Sequence, residues 1–219
     1  PIHRAFHQSE MTFRLLYAFT EKFLLPFSHD EVVHQKGSLL SKMPGDVWQR
    51  FANLRLGFCY QYLQPGKKLL FMGSEFGQIA EWNHEQSLDW HLLQEASHRG
   101  LQALVRDLNQ LYRGTKALHE SDSLSNGFSW IDCQDHAQSV LSFTRRGQDP
   151  YAVILAIFNF TPVIRYEYRV GVPLSGSYQE RLNSDATVYG VSGVGNLCAA
   201  ATQDIGFHQQ PYSLLVTLP

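Results

Sequence analysis

Polar residues that could take part in catalysis or ligand binding follow a short apolar run near the start of the chain. Residues 23–27, Phe-Leu-Leu-Pro-Phe, lead directly into Ser-His-Asp-Glu at 28–31, and a further histidine, His34, comes shortly after. A carboxylate held at the end of a rigid strand can orient a substrate or stabilise positive charge that develops in a transition state. The simpler alternative is that Asp30 or Glu31 caps the segment that follows, and spacing alone favours neither.

His29, Asp30 and His34 are also residue types that bind metal ions. The stretch lacks the His-x-x-x-His spacing with which a helix presents two ligands, and no cysteine lies nearby. We therefore expect no metal site here. His34 is interpreted as a loop or packing residue.

A second polar stretch follows the apolar run at 69–72. Gly73 ends this run, and Glu75 is expected at the same edge of the sheet as Asp30. Trp82, within Glu-Trp-Asn-His-Glu at 81–85, places an aromatic ring beside polar groups, which suits a sugar ligand. Packing within the loop explains Trp82 at least as well.

The elements that position these residues alternate between strand and helix. The apolar runs at 23–27 and 69–72 read as strands, the second one buried on both faces, and helical spacing follows each of them. Asp46 is the expected cap of the first of these helices, with Val47, Phe51, Leu54, Phe58 and Tyr62 on its apolar face. The loops after the strands are long and the helix-to-strand return is short, which favours part of a (β/α)8 barrel over a doubly wound sheet.

The pattern changes near residue 118, where helical spacing gives way to short β-like runs. Strands are predicted at 128–131, 140–144, 152–160, 165–170 and 213–218. In the fourth run, Tyr166, Tyr168 and Val170 alternate with charged residues, which is typical of a half-exposed strand. The prediction is an α/β first domain, residues 1–117, and an all-β sandwich domain, residues 118–219.

Charge and composition exclude several classes of function. The net charge is −2 and the basic residues do not cluster, so neither nucleic acid nor an acidic membrane surface is an expected partner. The three cysteines are widely scattered, which favours a reducing compartment, and we expect a cytoplasmic protein. Residues 1–10 lack the pattern of a signal peptide, and no apolar run reaches membrane-spanning length.

Three stretches together carry a family resemblance. FLLPFSHDEVVHQKGSLLSKMPGDVWQRFANLR, PGKKLLFMGSEFGQ and EWNHEQSLDWHLL closely resemble bacterial 1,4-α-glucan (glycogen) branching enzymes of the α-amylase superfamily. The His-Asp pair occurs across that superfamily, whereas SHDEVVH with WNH and SLDW is typical of the branching enzymes. Gln35 departs from the pattern, since the family commonly has glycine there.

The resemblance implies the last two βα units of a (β/α)8 TIM barrel, followed by a β-sandwich. It implies that Asp30 is the carboxylate that stabilises the transition state and that His29 binds the sugar at the cleaved bond. The implied reaction is retaining transfer of an α-1,4-glucan segment to a glucose 6-hydroxyl, with α-1,4-glucan or glycogen as donor and acceptor. No cofactor or metal is implied.

The same resemblance places the nucleophile and the general acid/base before the region that matches residue 1. We therefore expect a C-terminal fragment that is inactive by itself. Two alternatives stay open: another hydrolase of the α-amylase superfamily, and a non-catalytic α-glucan-binding module whose β domain holds the oligosaccharide. The oligomeric state is not predicted.

Overall fold

The computed structural model describes residues 6–219. After a short helix, α1 (Gln8–Thr12), strand β1 (Leu24–Phe27) pairs in parallel with β2 (Lys67–Leu70), and helix α2 (Val47–Leu63) connects them. Helix α3 (Ala96–Gly114) follows β2. The predicted order of strand, helix, strand and helix is therefore observed. The first five residues of the predicted first domain lie outside the described residues. They make up half of residues 1–10, the stretch that lacks a signal-peptide pattern.

Helix α2 begins at the cap that the sequence predicts. The Asp46 carboxylate accepts the backbone N–H of Gln49 at 2.8 Å, and the Gln49 side chain accepts the backbone N–H of Asp46 at 3.1 Å. This capping box satisfies two N–H groups that the first turn leaves free. The predicted apolar face is buried except for Val47, which is 67% exposed because the whole first turn faces solvent.

Strand β2 lies two residues earlier than predicted and is not buried on both faces. It spans Lys67–Leu70 rather than 69–72, and both Lys67 and Met72 are exposed. Within residues 6–219 the sheet consists of β1 and β2 alone, so few side chains surround it. The prediction of two-sided burial is therefore wrong for this chain.

The second half consists of antiparallel strands in three sheets. Strands β3 (Phe128–Asp135), β4 (Val140–Arg146) and β5 (Val153–Asn159) form one sheet in that order. Strand β6 (Arg165–Val172) pairs with β9 (Tyr212–Leu218), and the short strands β7 (Ser177–Gln179) and β8 (Ala199–Ala201) pair with each other. All five predicted strands are confirmed. The three-residue strands β7 and β8 are too short to show an alternating pattern and were not predicted.

The three-stranded sheet lies between two hydrophobic cores. One face packs on helices α2 and α3 through a cluster that includes Phe58, Leu104, Leu141, Phe143 and Phe158. The other face packs on β6 and β9 through a cluster that includes Ile131, Val140, Val170, Leu214 and Val216. This face-to-face packing of sheets fits the predicted β-sandwich. The domain boundary between residues 117 and 118 stays a prediction.

Strand β6 departs from the predicted alternation at one residue. Tyr166, expected on the same side as the buried Tyr168 and Val170, is 71% exposed. The pairing with β9 shifts between Arg165 and Tyr168, and Glu167 has a left-handed backbone with φ 50°. A bulge inserts an extra residue and turns the neighbouring side chain to the other face. The prediction is therefore wrong at Tyr166.

A buried cation on β4 joins the two halves of the chain. The Arg145 side chain is fully buried and donates to the Oδ1 atom of Asp122 at 2.7 Å. It also donates to the carbonyls of Leu63, Leu118 and Gly127 at 2.9, 3.3 and 3.2 Å. Leu63 is the last residue of α2, so one guanidinium binds the end of that helix to the sheet.

Arg145 also lowers the pKa of its ion-pair partner, Asp122. Burial alone raises the pKa of the Asp122 carboxyl, but the hydrogen bond and charge of Arg145, helped by Lys68 and Tyr112, leave that pKa below its ordinary value. A carboxyl group with a lowered pKa stabilises the fold above its unfolded pKa of about 3.9. This contribution is lost as the pH falls through the folded-state pKa.

Removing the charge of Asp122 should destabilise the whole fold. We expect Asp122→Asn to lower the free energy of unfolding by about 3–5 kcal/mol at pH 7, because Arg145 is left buried without a counter-charge. Urea denaturation measures the change. The matched control is Lys116→Ala, which removes an ion pair whose lysine side chain is 79% exposed, and it should cost less than about 1 kcal/mol. Equal losses in the two variants would contradict this account of Arg145.

Lys68 on β2 should make stability depend on pH near neutrality. Its ammonium donates to the carbonyls of Gln64 and Gly66 and lies 5.0 Å from the centre of the Tyr112 ring. Burial lowers the pKa of Lys68 to about 7, although Asp122 opposes the shift. An unfolded lysine has a pKa of about 10.4, so above pH 7 the unfolded chain binds more protons and stability rises with pH.

The variant Lys68→Met tests this dependence. Between pH 6.5 and 8.5 the stability of the wild-type chain should rise by about 1–2 kcal/mol relative to Lys68→Met, measured by urea denaturation at each pH. Lys116→Met is the control, because the Lys116 side chain is 79% exposed and is not among the charges that shift the pKa of Lys68, and its effect on stability should stay below about 1 kcal/mol at each pH. A constant difference for Lys68→Met would show that Lys68 stays charged through this range.

Candidate functional site

The Ser-His-Asp-Glu residues form a single 3₁₀ turn directly after β1. Ser28 caps the turn: its Oγ atom accepts the backbone N–H of Asp30 at 3.2 Å and donates to Oε2 of Glu31 at 3.0 Å. This contact turns the Glu31 side chain back toward Ser28. The side chains of His29 and Asp30 remain 57% and 68% exposed. The turn therefore presents two of its four polar residues to solvent.

His29 and Asp30 lie together at the carboxyl end of the parallel pair. The Nε2 atom of His29 is 3.3 Å from Oδ1 of Asp30, and the imidazole ring is centred 6.1 Å from the ring of Phe71. Phe71 follows β2 directly, and its backbone N–H donates to the carbonyl of Phe27 at 2.8 Å. The structure therefore brings the predicted pair to the edge where both strands end.

Two lysines fold the following segment back onto this turn. The Lys36 ammonium donates to the backbone carbonyl of Asp30 at 2.8 Å, and the Lys42 ammonium donates to the backbone carbonyl of Glu31. Both lysines bind backbone atoms, so within residues 6–219 His29 is the side chain in contact with the Asp30 carboxylate. That carboxylate is thus free to meet a ligand from solvent.

The loop after β2 supports the loop after β1. The Glu81 carboxylate accepts the backbone N–H groups of Gln35 at 2.7 Å and Gly37 at 3.3 Å. The next residue, Trp82, donates its backbone N–H to the carbonyl of Val32 at 3.0 Å, and its half-buried ring packs edge-on against Phe71 with centroids 5.1 Å apart. These contacts favour the packing interpretation of Trp82 over a sugar platform.

Glu75 and His34 stand apart from the pair. Glu75 lies in a 3₁₀ turn (Ser74–Phe76) between Gly73 and Gly77, which have φ values of 88° and 71°. Among the described residues no hydrogen bond or ion pair joins Glu75 to His29 or Asp30. His34 is an exposed turn residue with a φ of 58°.

Sequence reasoning missed Lys36 and Glu81 as parts of this site. Lys36 contacts a backbone carbonyl six positions earlier, and Glu81 contacts a turn more than forty positions earlier. In the sequence Glu81 is a polar neighbour of Trp82, and nothing near it indicates its backbone partners. The nearest signal in the sequence is Gly37 itself, because glycine readily adopts a positive φ, here 71°, and so indicates a turn.

The arrangement suits a polar, uncharged ligand better than a metal ion. An exposed carboxylate accepts hydrogen bonds from hydroxyl groups, and an imidazole both donates and accepts them. A carboxylate in this position also stabilises positive charge on a bound ligand. No group of three or more His, Cys, Asp or Glu side chains among residues 6–219 is arranged to hold a metal ion.

Comparison with known proteins shows which families this chain is similar to. Residues 130–219 match the family described as the alpha amylase C-terminal all-beta domain. All 219 residues align with 1,4-alpha-glucan branching enzymes at 56% identity in Aquifex aeolicus, 53% in Cellvibrio japonicus and 55% in Burkholderia thailandensis. The resemblance to the branching-enzyme family is confirmed.

The match covers only part of each branching enzyme. The chain spans 35%, 29% and 26% of the length of these three relatives. The all-β family model adds that the second half of this chain is similar to the C-terminal domain of α-amylases. Among the described residues, no helix combines the length and apolarity that crossing a membrane requires.

The turn that Glu81 binds contains a strained residue, Gln35, which has a φ of 66°. We expect Gln35→Gly to raise the free energy of unfolding by about 0.5–1 kcal/mol. Glycine removes a left-handed strain of about 1–2 kcal/mol and adds unfolded-state entropy worth about 0.4–1 kcal/mol. Gln35→Ala is the control, because alanine keeps the Cβ atom, and it should change stability by less than about 0.5 kcal/mol. Equal denaturation midpoints for the two variants would contradict the strain.

Proposed function

We propose that this chain is the part of a 1,4-α-glucan branching enzyme that supplies one catalytic carboxylate. The observation that carries the proposal is the exposed His29–Asp30 pair at the carboxyl end of two parallel strands, in a chain that aligns with branching enzymes over its full length. In this proposal Asp30 stabilises the transition state and His29 binds the sugar at the bond that is cleaved. The donor and acceptor are α-1,4-glucan chains, in the cytoplasm.

The elements around the pair support a (β/α)8 barrel as its setting. Strands β1 and β2 are parallel and are joined through α2, and α3 follows, as in two consecutive βα units. The loops after the two strands cover residues 28–46 and 71–95, whereas the return from α2 to β2 is only residues 64–66. Long loops at the carboxyl ends of the strands are where barrel enzymes carry their active sites. We infer that β1 and β2 are the seventh and eighth barrel strands.

The proposed reaction is a retaining transfer in two steps. A carboxylate nucleophile attacks the anomeric carbon while a carboxylic acid donates a proton to the departing 4-oxygen, which breaks the α-1,4 bond and forms a glycosyl ester. The 6-hydroxyl of an acceptor glucose then attacks the same carbon and gives its proton to the acid/base carboxylate left by the first step, which forms the α-1,6 bond, breaks the ester and releases the nucleophile carboxylate. Both transition states carry positive charge on the sugar, and the Asp30 carboxylate offers the opposite charge.

Asp30 and His29 do not complete this chemistry by themselves. Glu31 and Glu75 match neither the nucleophile motif nor the acid/base motif of the family. Glu31 is also held by Ser28, and Glu75 lies in a separate turn. We therefore propose that the nucleophile and the acid/base come from polypeptide outside these 219 residues, and that the chain alone does not branch amylose.

A chimera tests the role of Asp30. The 219 residues replace the aligned part of the Aquifex aeolicus enzyme, and branching of amylose is followed by the loss of iodine staining. We expect an active chimera in which Asp30→Asn lowers kcat at least about 100-fold, the cost of removing one preorganised charge-stabilising group. The chain by itself should leave iodine staining unchanged.

Glu85→Gln is the matched control, because Glu85 is exposed in the loop after β2 and its ion-pair partner is the neighbouring His84. Near-wild-type branching by Asp30→Asn, or branching by the chain alone, would refute the proposal. Counting reducing ends and α-1,6 linkages in the same reactions separates transfer from hydrolysis. A gain of reducing ends without new α-1,6 linkages would show a hydrolase instead.

A further inference from the structure

We propose that Glu81 is a positioning residue for the His29–Asp30 pair. Glu81 lies in the loop after β2, and its carboxylate holds the turn that follows the catalytic turn. This inference rests on the proposed function, because it assigns a task in the same reaction. It adds a residue that acts through the backbone and does not touch the glucan.

Residues 34–37 form a backbone cradle for the Glu81 carboxylate. His34, Gln35 and Gly37 have φ values of 58°, 66° and 71°, all in the left-handed region. Backbone N–H groups that lie close together in such a turn can point into a shared concavity that binds an anion. Glu81 fills it: one carboxylate oxygen accepts the N–H of Gln35 at 2.7 Å and the other accepts the N–H of Gly37 at 3.3 Å.

The cradle is strained, so something has to hold it. Two of its three residues with a positive φ, His34 and Gln35, are not glycine, and side chains rarely adopt a positive φ. Gly37 cannot take a side chain easily either, because an added Cβ atom would lie 2.6 Å from Oγ of Ser41. The charge of Glu81 offsets this strain through two charge-assisted hydrogen bonds. Without that charge, the turn should relax toward an unstrained conformation.

The cradle is connected directly to the catalytic turn. Lys36 lies between the two N–H groups that Glu81 binds, and its ammonium donates to the backbone carbonyl of Asp30 at 2.8 Å. Movement of the cradle therefore moves the lysine that restrains Asp30. Trp82 binds the start of the same segment through the carbonyl of Val32, so adjacent residues of one loop hold both ends of it.

Two other acidic residues of the same loop do not fit this task. Glu75 lies in a separate 3₁₀ turn, and Glu85 is exposed beside His84. Among residues 6–219, Glu81 is the side chain whose carboxylate accepts N–H groups from the cradle. Glu85 therefore serves as a matched control with the same charge in the same loop.

The test compares Glu81→Gln with Glu85→Gln in the chimera. Glutamine keeps the size of Glu81 but loses its charge, and its amide nitrogen replaces one of the two accepting oxygens. We expect kcat to fall about 10–100-fold, the effect of a small misplacement of a catalytic group, with KM changed less than about threefold. Glu85→Gln should keep the wild-type kcat.

Hydrogen exchange and a rescue variant separate positioning from a loss of folding. In Glu81→Gln, the amides of residues 32–38 should exchange at least about tenfold faster, measured by mass spectrometry, while the rest of the chain is unchanged. Adding Gln35→Gly, which adopts the positive φ without strain, should restore most of kcat. An enzyme that is generally destabilised would lose protection throughout the chain and gain no kcat from glycine.

Two results would overturn the inference. One is a kcat for Glu81→Gln equal to that of Glu85→Gln; the other is faster exchange at 32–38 with kcat unchanged. If Asp30→Asn abolishes branching in the same chimera while Glu81→Gln does not affect it, only the role of Glu81 fails. If Asp30→Asn is also without effect, the proposed function fails as well.

Discussion

The buried guanidinium of Arg145 is the interaction on which the described fold depends. Its planar set of N–H donors contacts the end of α2, two loop carbonyls and the Asp122 carboxylate. Leu118, Asp122 and Gly127 lie on the connection from α3 to β3, so one side chain joins this connection and the end of α2 to β4. Separating the β3–β4–β5 sheet from the helices would leave a buried charge without its partners, which is costly. The two halves therefore share one core despite their different architectures.

This shared core also explains how a site on a two-stranded sheet keeps its shape. Strands β1 and β2 are short and half-exposed, so their own hydrogen bonds cannot hold them firmly. Helix α2 connects them; it is fixed by the Asp46 capping box at one end and by Arg145 at the other. The side chain of Gln61 on α2 donates to the carbonyls of Leu25 and Leu69 at 2.8 and 3.1 Å, which holds both strands to one helix. The position of the His29–Asp30 turn follows from this helix.

How far the sequence predicts the structure depends on the range of each interaction. Asp46 and the buried stripe of α2 could be predicted because capping and helical periodicity act within a few residues. The exposed Tyr166 could not, because a bulge is visible only in the pairing of β6 with β9. His29 and Asp30 were placed correctly at a strand end by position and residue type. Glu81 was missed because its partners lie 46 and 44 residues away in the chain.

The difference between His29 and Asp30, which the sequence indicates, and Glu81, which it does not, has a physical origin. His29 and Asp30, the residues proposed to meet the glucan, are exposed, and exposure removes the packing that fixes side chains in a core. Their rigidity has to come from the backbone that carries them, through Ser28, Lys36 and the cradle around Glu81. Backbone contacts place few demands on the identity of the residue contacted, so they leave little pattern in the sequence. Residues that react are therefore easier to recognise from sequence than the residues that hold them in place.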